Sequence, residues 1–345
     1  MTLATWKRRA KLGAVGAVVV AAVFAAGIAF LWSDRPLLAD TGWPAPPSPT
    51  EKSASVTATW LGVTTILFDD GETQILVDGF FSRPTLWESV MRRPIVNDAA
   101  TINFALHKFD MRRLAAIIPV HSHFDHAMDV GAIANRTSAS VLGSESTANV
   151  ARGVNVPEDQ IVVAESERTY EFGEFRVQLL PSRHAPIGWG GSAPLPGTID
   201  EPLTMPQSID AWREGGSYSV VIEHPQGTTL VQGSAGFVEG TLEDVPANVV
   251  MLSIGGLTTL DEGFAEQLWL ETVTRTGATT VYPMHFDDFT KPFGEVVPSP
   301  KFLGNLGKAA QWFDAFRQKW DQDTQIFLPE FGEPIALYAQ PSSTT

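Results

Sequence analysis

Alternating and continuous apolar runs along the chain predict strands and helices that follow one another through most of its length. Two β-rich runs, residues 56–68 and 73–77, flank Asp69-Asp70-Gly71-Glu72, whose composition is typical of a hairpin turn. Further strands are predicted at residues 115–120, 141–143, 168–172, 175–180, 218–223, 228–232, 249–253 and 279–282, and helices at 85–92, 98–113, 129–136, 262–275 and 306–320. This order predicts an α/β fold, an αββα sandwich of two mixed β-sheets flanked by helices.

The N-terminal region carries an uncharged apolar stretch from Leu12 to Trp32. About 20 apolar residues span a bilayer, whereas the apolar core of a signal peptide is shorter. Four cations precede the stretch: Lys7, Arg8, Arg9 and Lys11. They predict that this end stays cytoplasmic. We therefore expect an N-terminal transmembrane helix and an extracytoplasmic body, periplasmic or on the cell surface. The alternative is a signal peptide, cleaved near residues 37–39, and secretion.

Composition divides the chain into three parts. Residues 1–35 are the predicted anchor, and residues 36–55, rich in proline, serine and threonine, are a predicted linker. The body is predicted to run from residue 56 to residue 345. Within it, residues 185–217 are dense in proline and glycine and form a predicted surface insertion, a kind of loop that often serves as a lid or binding loop.

Charge and cysteine content exclude several classes of protein. The 345 residues are 44% hydrophobic, which is enough for one large domain or at most two. The net charge is −15, and no run of Lys and Arg occurs beyond the extreme N-terminus, which argues against a nucleic-acid partner. Because the chain has no cysteine, it has no disulfides, and any metal must be held by histidine and carboxylate.

Candidate chemistry is concentrated in the segment His121-Ser122-His123-Phe124-Asp125-His126, which contains three of the seven histidines. His121 and His123 alternate, so their side chains can converge on one ion. Asp125 and His126 project differently and can serve a second ion. Imidazole with carboxylate suits Zn²⁺, and also Fe or Mn. The segment therefore predicts a metal site directly after a strand.

The same segment matches the HxHxDH motif of the metallo-β-lactamase-fold hydrolases. The opening run at residues 60–65, followed by residues 76–82, resembles the branch that contains the N-acylphosphatidylethanolamine phospholipase D enzymes and the UlaG-type lactonases. That branch often has a histidine where Val63 stands. The resemblance extends from residue 56 to the C-terminus and implies the αββα fold of that superfamily.

The resemblance also implies the remaining ligands. His184 would complete a first site with His121 and His123, and His285 a second with Asp125 and His126. Asp78 would orient a ligand-bearing loop. Two Zn²⁺ ions are expected. Taken alone, His184 and His285 also fit capped loop histidines, whereas His107 and His224 match no motif and are expected at the surface.

One position departs from the family pattern. The family places a metal-bridging aspartate between the third and fourth ligand segments, where this chain has Ser234. Three interpretations stay open. Two metals are bridged mainly by hydroxide, one metal is bound tightly and the other loosely, or another carboxylate such as Asp287 or Asp288 reaches into the site.

The expected activity follows from the ions. A bound dication lowers the pKa of its water to about 7, which supplies hydroxide without a basic side chain. Asp125 and His126 are the candidate catalytic residues, with Asp125 orienting the attacking hydroxide. We expect hydrolysis of a phosphodiester, ester or lactone, with a small molecule or a lipid as substrate. Trp189 and Trp212 of the insertion either receive an acyl chain or pin the loop.

Two alternatives accompany this expectation. Ser234 prompts the first, a catalytically weak metal-binding or sensing protein of the same fold. A β-lactam substrate is the second and ranks below the others, because the opening motifs resemble the phospholipase and lactonase branch.

Overall fold

Two seven-stranded mixed sheets form the centre of the protein. The computed structural model describes residues 20, 22–23, 26–47, 56–166 and 168–338. The first sheet has the order β14-β1-β2-β3-β4-β5-β6 and the second β13-β12-β11-β10-β9-β8-β7. The strands are β1 Thr57–Trp60, β2 Ile66–Asp69, β3 Gln74–Val77, β4 Leu114–Ile118, β5 Ser140–Gly143, β6 Ile161–Val163, β7 Thr169–Phe172, β8 Phe175–Ser182, β9 Ser217–His224, β10 Gly227–Gln232, β11 Val249–Ser253, β12 Thr280–Met284, β13 Gln325–Ile326 and β14 Pro334–Ala336.

Helices cover the outer faces of both sheets. They are α1 Leu86–Val90, α2 Ala99–Lys108, α3 Phe124–Ala127, α4 Val130–Thr137, α5 Glu145–Arg152, α6 Glu262–Trp269 and α7 Leu306–Trp320. Helices α4 and α5 contact the first sheet at β5, and α6 contacts α7. Residues of α6 and α7 share a core with strands of the second sheet. The αββα sandwich of two mixed sheets that the sequence predicts is confirmed.

The alternation of side chains in β2 and β3 shows how the layers form. Ile66, Phe68 and Ile75 point into the core between the sheets, where they meet side chains of the second sheet such as Val220. Leu67, which lies between Ile66 and Phe68, belongs instead to the core under the helices of the first sheet. Because β2 and β3 are buried on both faces, the first sheet packs against the second sheet on one side and against its own helices on the other.

Most predicted elements are present, and the differences have local causes. The run at residues 56–68 is two antiparallel strands, because Gly62 and Val63 both have positive φ and turn the chain between Trp60 and Ile66. The predicted helix at residues 262–275 ends as a π-helix over Leu270–Thr274. The helix α5 and the short strands β6, β13 and β14 were not predicted, because such brief runs carry little periodicity.

The segment before the body is packed against it. The ring of Trp32 lies at a tilt to that of Phe302, with ring centroids 5.7 Å apart, and Arg35 forms a salt bridge of 2.7 Å with Asp288. The amide of Leu328 donates to the carbonyl of Pro44 at 2.9 Å. Residues 36–47 of the predicted linker thus lie within reach of the body, whereas residues 48–55 lie outside the described part of the chain.

The predicted membrane span, residues 12–32, lies partly outside the described residues. Among those that are described, no helix combines the length and the apolar character needed to cross a bilayer.

The insertion is a long connection from β8 to β9, with short 3₁₀ turns at Trp189–Gly191 and Ile209–Ala211. Trp212 is fully buried in the core of the first sheet, where Leu203 and Met205 also pack. Trp189, in contrast, is 98% exposed. Trp212 therefore anchors the insertion to the body, whereas the side chain of Trp189 is accessible to another molecule.

Candidate metal centre

The candidate ligands lie where strands end. His121, His123 and His126 follow β4, His184 follows β8, and His285 follows β12. Strands deliver side chains reproducibly to one edge of a sheet, and loops at that edge then carry the chemistry. The structure brings all six predicted ligand residues into two neighbouring groups, whose closest rings, His121 and His126, have centroids 3.9 Å apart.

The first group consists of His121, His123 and His184, with ligand atoms within 4.8 Å of one another. Nε2 of His121 lies 2.9 Å from Nδ1 of His123. The other ring nitrogen of His123, Nε2, lies 2.9 Å from the carbonyl of Pro194, and Nδ1 of His184 lies 2.9 Å from the carbonyl of Ala185. Each carbonyl accepts the N–H of its ring, so the opposite nitrogen keeps its lone pair for an ion.

The second group consists of Asp125, His126 and His285. Oδ2 of Asp125 lies 3.3 Å from Nε2 of His285 and 3.6 Å from Nε2 of His126. Two imidazole nitrogens and one carboxylate oxygen therefore face a common point. Because Asp125 and His126 are consecutive residues at the start of α3, the helical backbone directs both side chains to this group while His123 serves the first.

Asp78 makes hydrogen bonds that orient residues of both ligand groups. Its Oδ2 accepts a hydrogen bond from Nδ1 of His126 at 2.7 Å, and its Oδ1 accepts from the amide of Val120 at 2.8 Å. Val120 directly precedes His121. Asp78 is fully buried and has φ of 57°. Its carboxylate thus fixes the tautomer of one ligand and the backbone before another, which is the orienting role that the sequence predicts.

The electrostatics of the site favour neutral imidazoles in the first group. Burial lowers the pKa of His121 well below its ordinary value, and burial also lowers the pKa of His123 and of His184 to about 4. Burial opposes ionisation of Asp125, yet the neighbouring His126 and His285 hold its pKa well below the usual range. Neutral imidazoles and an ionised carboxylate are the protonation states that bind a dication.

The donor set fits two metal ions of the Zn²⁺ type. Lone pairs from three imidazoles converge in one group, and two imidazoles with a carboxylate converge in the other. Histidine and carboxylate ligands also suit Fe and Mn, so the donor set alone is compatible with each.

Ser234 lies beside the first group. Its hydroxyl accepts a hydrogen bond of 3.0 Å from the amide of Ala185, the residue after His184. The chain can approach this closely because Gly236 has no side chain: a Cβ there would lie 2.6 Å from the carbonyl carbon of His184. A neutral hydroxyl therefore occupies the neighbourhood in which the family pattern has an aspartate.

Asp287 and Asp288, the two carboxylates named as possible additional ligands, are directed to other partners. Oδ1 of Asp287 accepts from the amide of Val63 at 2.9 Å, and its Oδ2 faces Arg83. The carboxylate of Asp288 accepts hydrogen bonds from the side chains of Arg35 and Thr290. Both carboxylates are satisfied by other partners, and both lie outside the two ligand groups.

The two remaining histidines differ. His107 is exposed, as expected. The surface location expected for His224 is wrong: its side chain is 7% exposed, packs on the ring of Phe175 and faces Asp70 at 3.7 Å. Its position next to Pro225 suggests a turn, but strand β9 extends through it and tucks the ring under the neighbouring hairpin.

One supporting residue was missed by the sequence interpretation. Thr64 places its hydroxyl 2.9 Å from Nδ1 of His126 and donates to Asp78. Threonines rarely stand out in a sequence. The only signal was its place in the opening run, one residue after the position where the family branch often has a histidine.

A cleft of ≈ 950 Å³ opens beside His184. Its walls come from the end of β8, the insertion, the start of β9 and the loop after β10. Phe237 and Phe264, whose ring centroids are 5.3 Å apart, form an apolar wall, and the cleft also has polar and charged side chains: Arg183, Glu214, Tyr218 and Glu239. The cleft therefore gives a substrate access to the first group from an apolar side.

Comparisons with known proteins agree with the motifs. No protein-family model matches the chain. A UPF0173 metal-dependent hydrolase of Myxococcus xanthus is 28% identical over 180 residues, which are 51% of this chain and 57% of that protein. The match thus spans little more than half the length of that relative. A UPF0173 metal-dependent hydrolase of Pyrobaculum islandicum is 24% identical over 239 residues, 67% of this chain and 84% of that protein.

Among solved structures, the metallo-β-lactamase fold protein YhfI from Bacillus subtilis aligns with a TM-score of 0.46 at 12% identity, covering 81% of this chain and 98% of that one. The order of the ligand motifs, the two mixed sheets that carry them and the two hydrolase relatives support the superfamily that the sequence indicates, the metallo-β-lactamase-fold hydrolases.

Proposed function

We propose that this protein is a metal-dependent hydrolase that cleaves a phosphodiester or an ester, including a lactone, in an amphiphilic substrate of lipid type. The observation that carries the proposal is the pair of adjacent ligand groups, one of three histidines and one of Asp125, His126 and His285. Similarity to two metal-dependent hydrolases supports the reaction class.

Each group of ligand residues would hold one metal ion. His121, His123 and His184 would hold the first metal, and Asp125, His126 and His285 the second. When bound, such ions polarise the scissile group and acidify a water molecule. Asp125, ionised and within 3.3 Å of His285, is placed to accept a hydrogen bond from the attacking water and to orient it. Asp78 keeps the His126 ring in one tautomer throughout.

The cleft beside His184 supports an amphiphilic substrate. The rings of Phe237 and Phe264 offer an apolar wall to a hydrocarbon chain. The exposed Arg183 lines the same cleft and can pair with an anionic group, and Glu214 and Glu239 can pair with a cationic one. Trp189 is 98% exposed on the insertion and lies two residues before Gly191, which lines the cleft. The cleft therefore suits a molecule with one charged end and one apolar end.

The predicted N-terminal anchor supports the same substrate class. A body tethered to a membrane by residues 1–35 would meet lipids at high local concentration. In this proposal the catalytic body is extracytoplasmic, and its substrate is a lipid or a lipid-derived ester.

The experiment is a substrate panel with the full chain in detergent, loaded with Zn²⁺. The panel contains bis(p-nitrophenyl) phosphate, p-nitrophenyl esters of increasing chain length, lactones and a β-lactam. We expect hydrolysis of at least one of the first three classes, rising with chain length, and its loss in His121→Ala. A wild-type protein that binds two equivalents of zinc and hydrolyses none of the panel would favour the second candidate, a metal-binding or sensing protein, which Ser234 motivates.

A further inference from the structure

His285 is held in an unusual backbone conformation. Its φ is 60°, in the left-handed region that residues with a Cβ seldom occupy. Its amide donates to the carbonyl of Val63 at 3.0 Å, and Val63 itself has φ of 51°. Conformations of this kind are energetically unfavourable and persist only where the surroundings enforce them. Contacts around Val63 and His285 must therefore stabilise these two backbone conformations.

The first enforcing contact is the pair Asp287–Arg83. Asp287 accepts from the amide of Val63 at 2.9 Å, and its other oxygen lies 3.7 Å from Nη1 of Arg83. Both side chains are about 95% buried, and the Arg83 guanidinium also rests 4.5 Å above the ring of Phe80. A Cβ on Gly62 would lie 2.5 Å from Nη2 of Arg83, so the turn before Val63 is shaped to admit this pair.

The second enforcing contact comes from the N-terminal segment. Nη2 of Arg35 donates to Asp288 at 2.7 Å, and Nη1 donates to the carbonyl of Pro298 at 2.6 Å. Asp288 and Pro298 stand on opposite arms of the loop that follows His285, and the amide of Asp288 donates to the carbonyl of Val297 between those arms at 2.7 Å. Arg35 therefore links the two arms of this loop.

We infer that Arg35 and Arg83 are positioning residues for the second metal group: through Asp288 and Asp287 they hold the loop that presents His285 opposite Asp125. This inference rests on the proposed metal-dependent function. It also assigns a role to the segment around Arg35, the last residue of the predicted anchor. That segment supports a ligand of the active site in addition to linking two parts of the chain.

The chemistry explains why arginine is used twice. Asp287 and Asp288 are adjacent and both buried, and the buried Arg83 interacts electrostatically with both of them and with Asp125. Each arginine compensates one of them, and removal of a single partner leaves a buried carboxylate uncompensated. An uncompensated carboxylate would draw the loop towards water and move His285 away from the point that Asp125 and His126 share.

The test measures the affinity of the full chain for each of two Zn²⁺ equivalents by competition with a chromophoric chelator, for wild type, Arg35→Ala and Arg83→Gln. We expect the second equivalent to bind about 10–100-fold more weakly in both variants, the usual effect of losing an outer partner of a metal ligand, and the first to be unchanged. Arg113→Ala is the matched control, because Arg113 forms a salt bridge of 2.6 Å with Asp69 away from the metal centre.

A double variant separates positioning from general destabilisation. If Arg35 acts through Asp288, Arg35→Ala combined with Asp288→Asn weakens the second equivalent no further than Arg35→Ala alone. Unchanged affinity for the second equivalent in Arg35→Ala, or an equal loss at both equivalents, overturns the inference while the proposed function stands. A wild-type chain that binds no zinc overturns both. The side chain of Arg35 is 16% exposed, so its removal disturbs the core less than removal of Arg83. If Arg83→Gln does not fold, the zinc affinities of Arg35→Ala alone test the inference.

Discussion

Asp78 and His126 form a buried carboxylate–imidazole pair, with Oδ2 and Nδ1 2.7 Å apart and both side chains at most 1% exposed. The pair decides which nitrogen of His126 is available to an ion. Because the carboxylate accepts the proton on Nδ1, the lone pair of Nε2 points towards Asp125 and His285. A residue that touches no metal therefore sets the chemistry of one that would.

The first prediction concerns this pair. In Asp78→Asn the amide group can donate to Nδ1 of His126, which places the ring proton on Nε2 and removes its lone pair from the site. We expect the second zinc equivalent to bind about 10–100-fold more weakly, with the first retained. Zinc competition titration of the full chain measures it. Asp70→Asn is the control, since Asp70 is also a buried carboxylate that faces a histidine, His224, at 3.7 Å. An unaltered second affinity would show that Asp78 does not orient His126.

A second prediction separates the two groups. His121→Ala removes a ligand whose ring nitrogen lies 2.9 Å from that of His123, so the first metal and the hydrolytic activity should both be lost. His285→Ala should remove only the second metal. Metal content by mass spectrometry after dialysis distinguishes the two outcomes. Zinc content at the wild-type level in His121→Ala would contradict the assignment of the first group.

Much of this site was accessible from the sequence, because ligands at strand ends leave a local record. Residues 121–126 carry three histidines in six positions, whereas His184 and His285 were assigned through the resemblance to the metallo-β-lactamase-fold hydrolases, which the apolar strands before them support. Asp78 follows a strand in the same way. The fold class could be predicted because strand and helix patterns follow one another along the body, with hairpins near the start of each half.

The supporting contacts were not accessible, because they join distant segments. Arg35 and Asp288 are 253 residues apart, and Val63 and Asp287 are 224 apart. No spacing rule connects such pairs, and a salt bridge depends on the folded path of both segments. The sequence accordingly left Asp287 and Asp288 as candidate ligands, and it treated the segment that carries Arg35 as anchor and linker.

The third prediction tests the position of Ser234. Its hydroxyl accepts from the amide of Ala185, beside His184, so a carboxylate there could retain that bond and add a negative charge near the ions. Ser234→Asp should therefore tighten the binding of the second zinc equivalent, whereas Ser234→Ala should not. The readout is the same competition titration. Equal affinities in wild type and Ser234→Asp would mean that residue 234 does not occupy the bridging position.

The fourth prediction concerns a buried carboxylate outside the ligand groups. Asp129 accepts hydrogen bonds from the amides of Phe81 and Ser82 at 2.8 and 2.6 Å, and from the side chains of Ser82 and Asn97. Every partner is a donor, so the NH₂ group of an asparagine would face donors. Asp129→Asn should lower the free energy of unfolding by about 1–3 kcal/mol, the cost of an unsatisfied buried polar group. Urea unfolding measures it.

Asp244→Asn serves as the control for Asp129→Asn. Asp244 is exposed, and a surface substitution of this kind usually changes stability by at most about 0.5 kcal/mol. If both variants unfold at the wild-type midpoint, the hydrogen bonds to Asp129 do not hold residues 81 and 82 in place.

The last prediction separates the two tryptophans of the insertion. Trp212 is fully buried, and its truncation to alanine leaves a cavity, so Trp212→Ala should cost about 3–5 kcal/mol of unfolding free energy. Trp189 is 98% exposed and has little packing to lose, so Trp189→Ala should leave stability unchanged. Its effect should appear instead in KM, which should rise for p-nitrophenyl esters with long acyl chains and stay constant for the acetate ester. If KM for the long-chain esters is unchanged in Trp189→Ala, this side chain does not contact the substrate, and chain-length preference must come from the wall of Phe237 and Phe264.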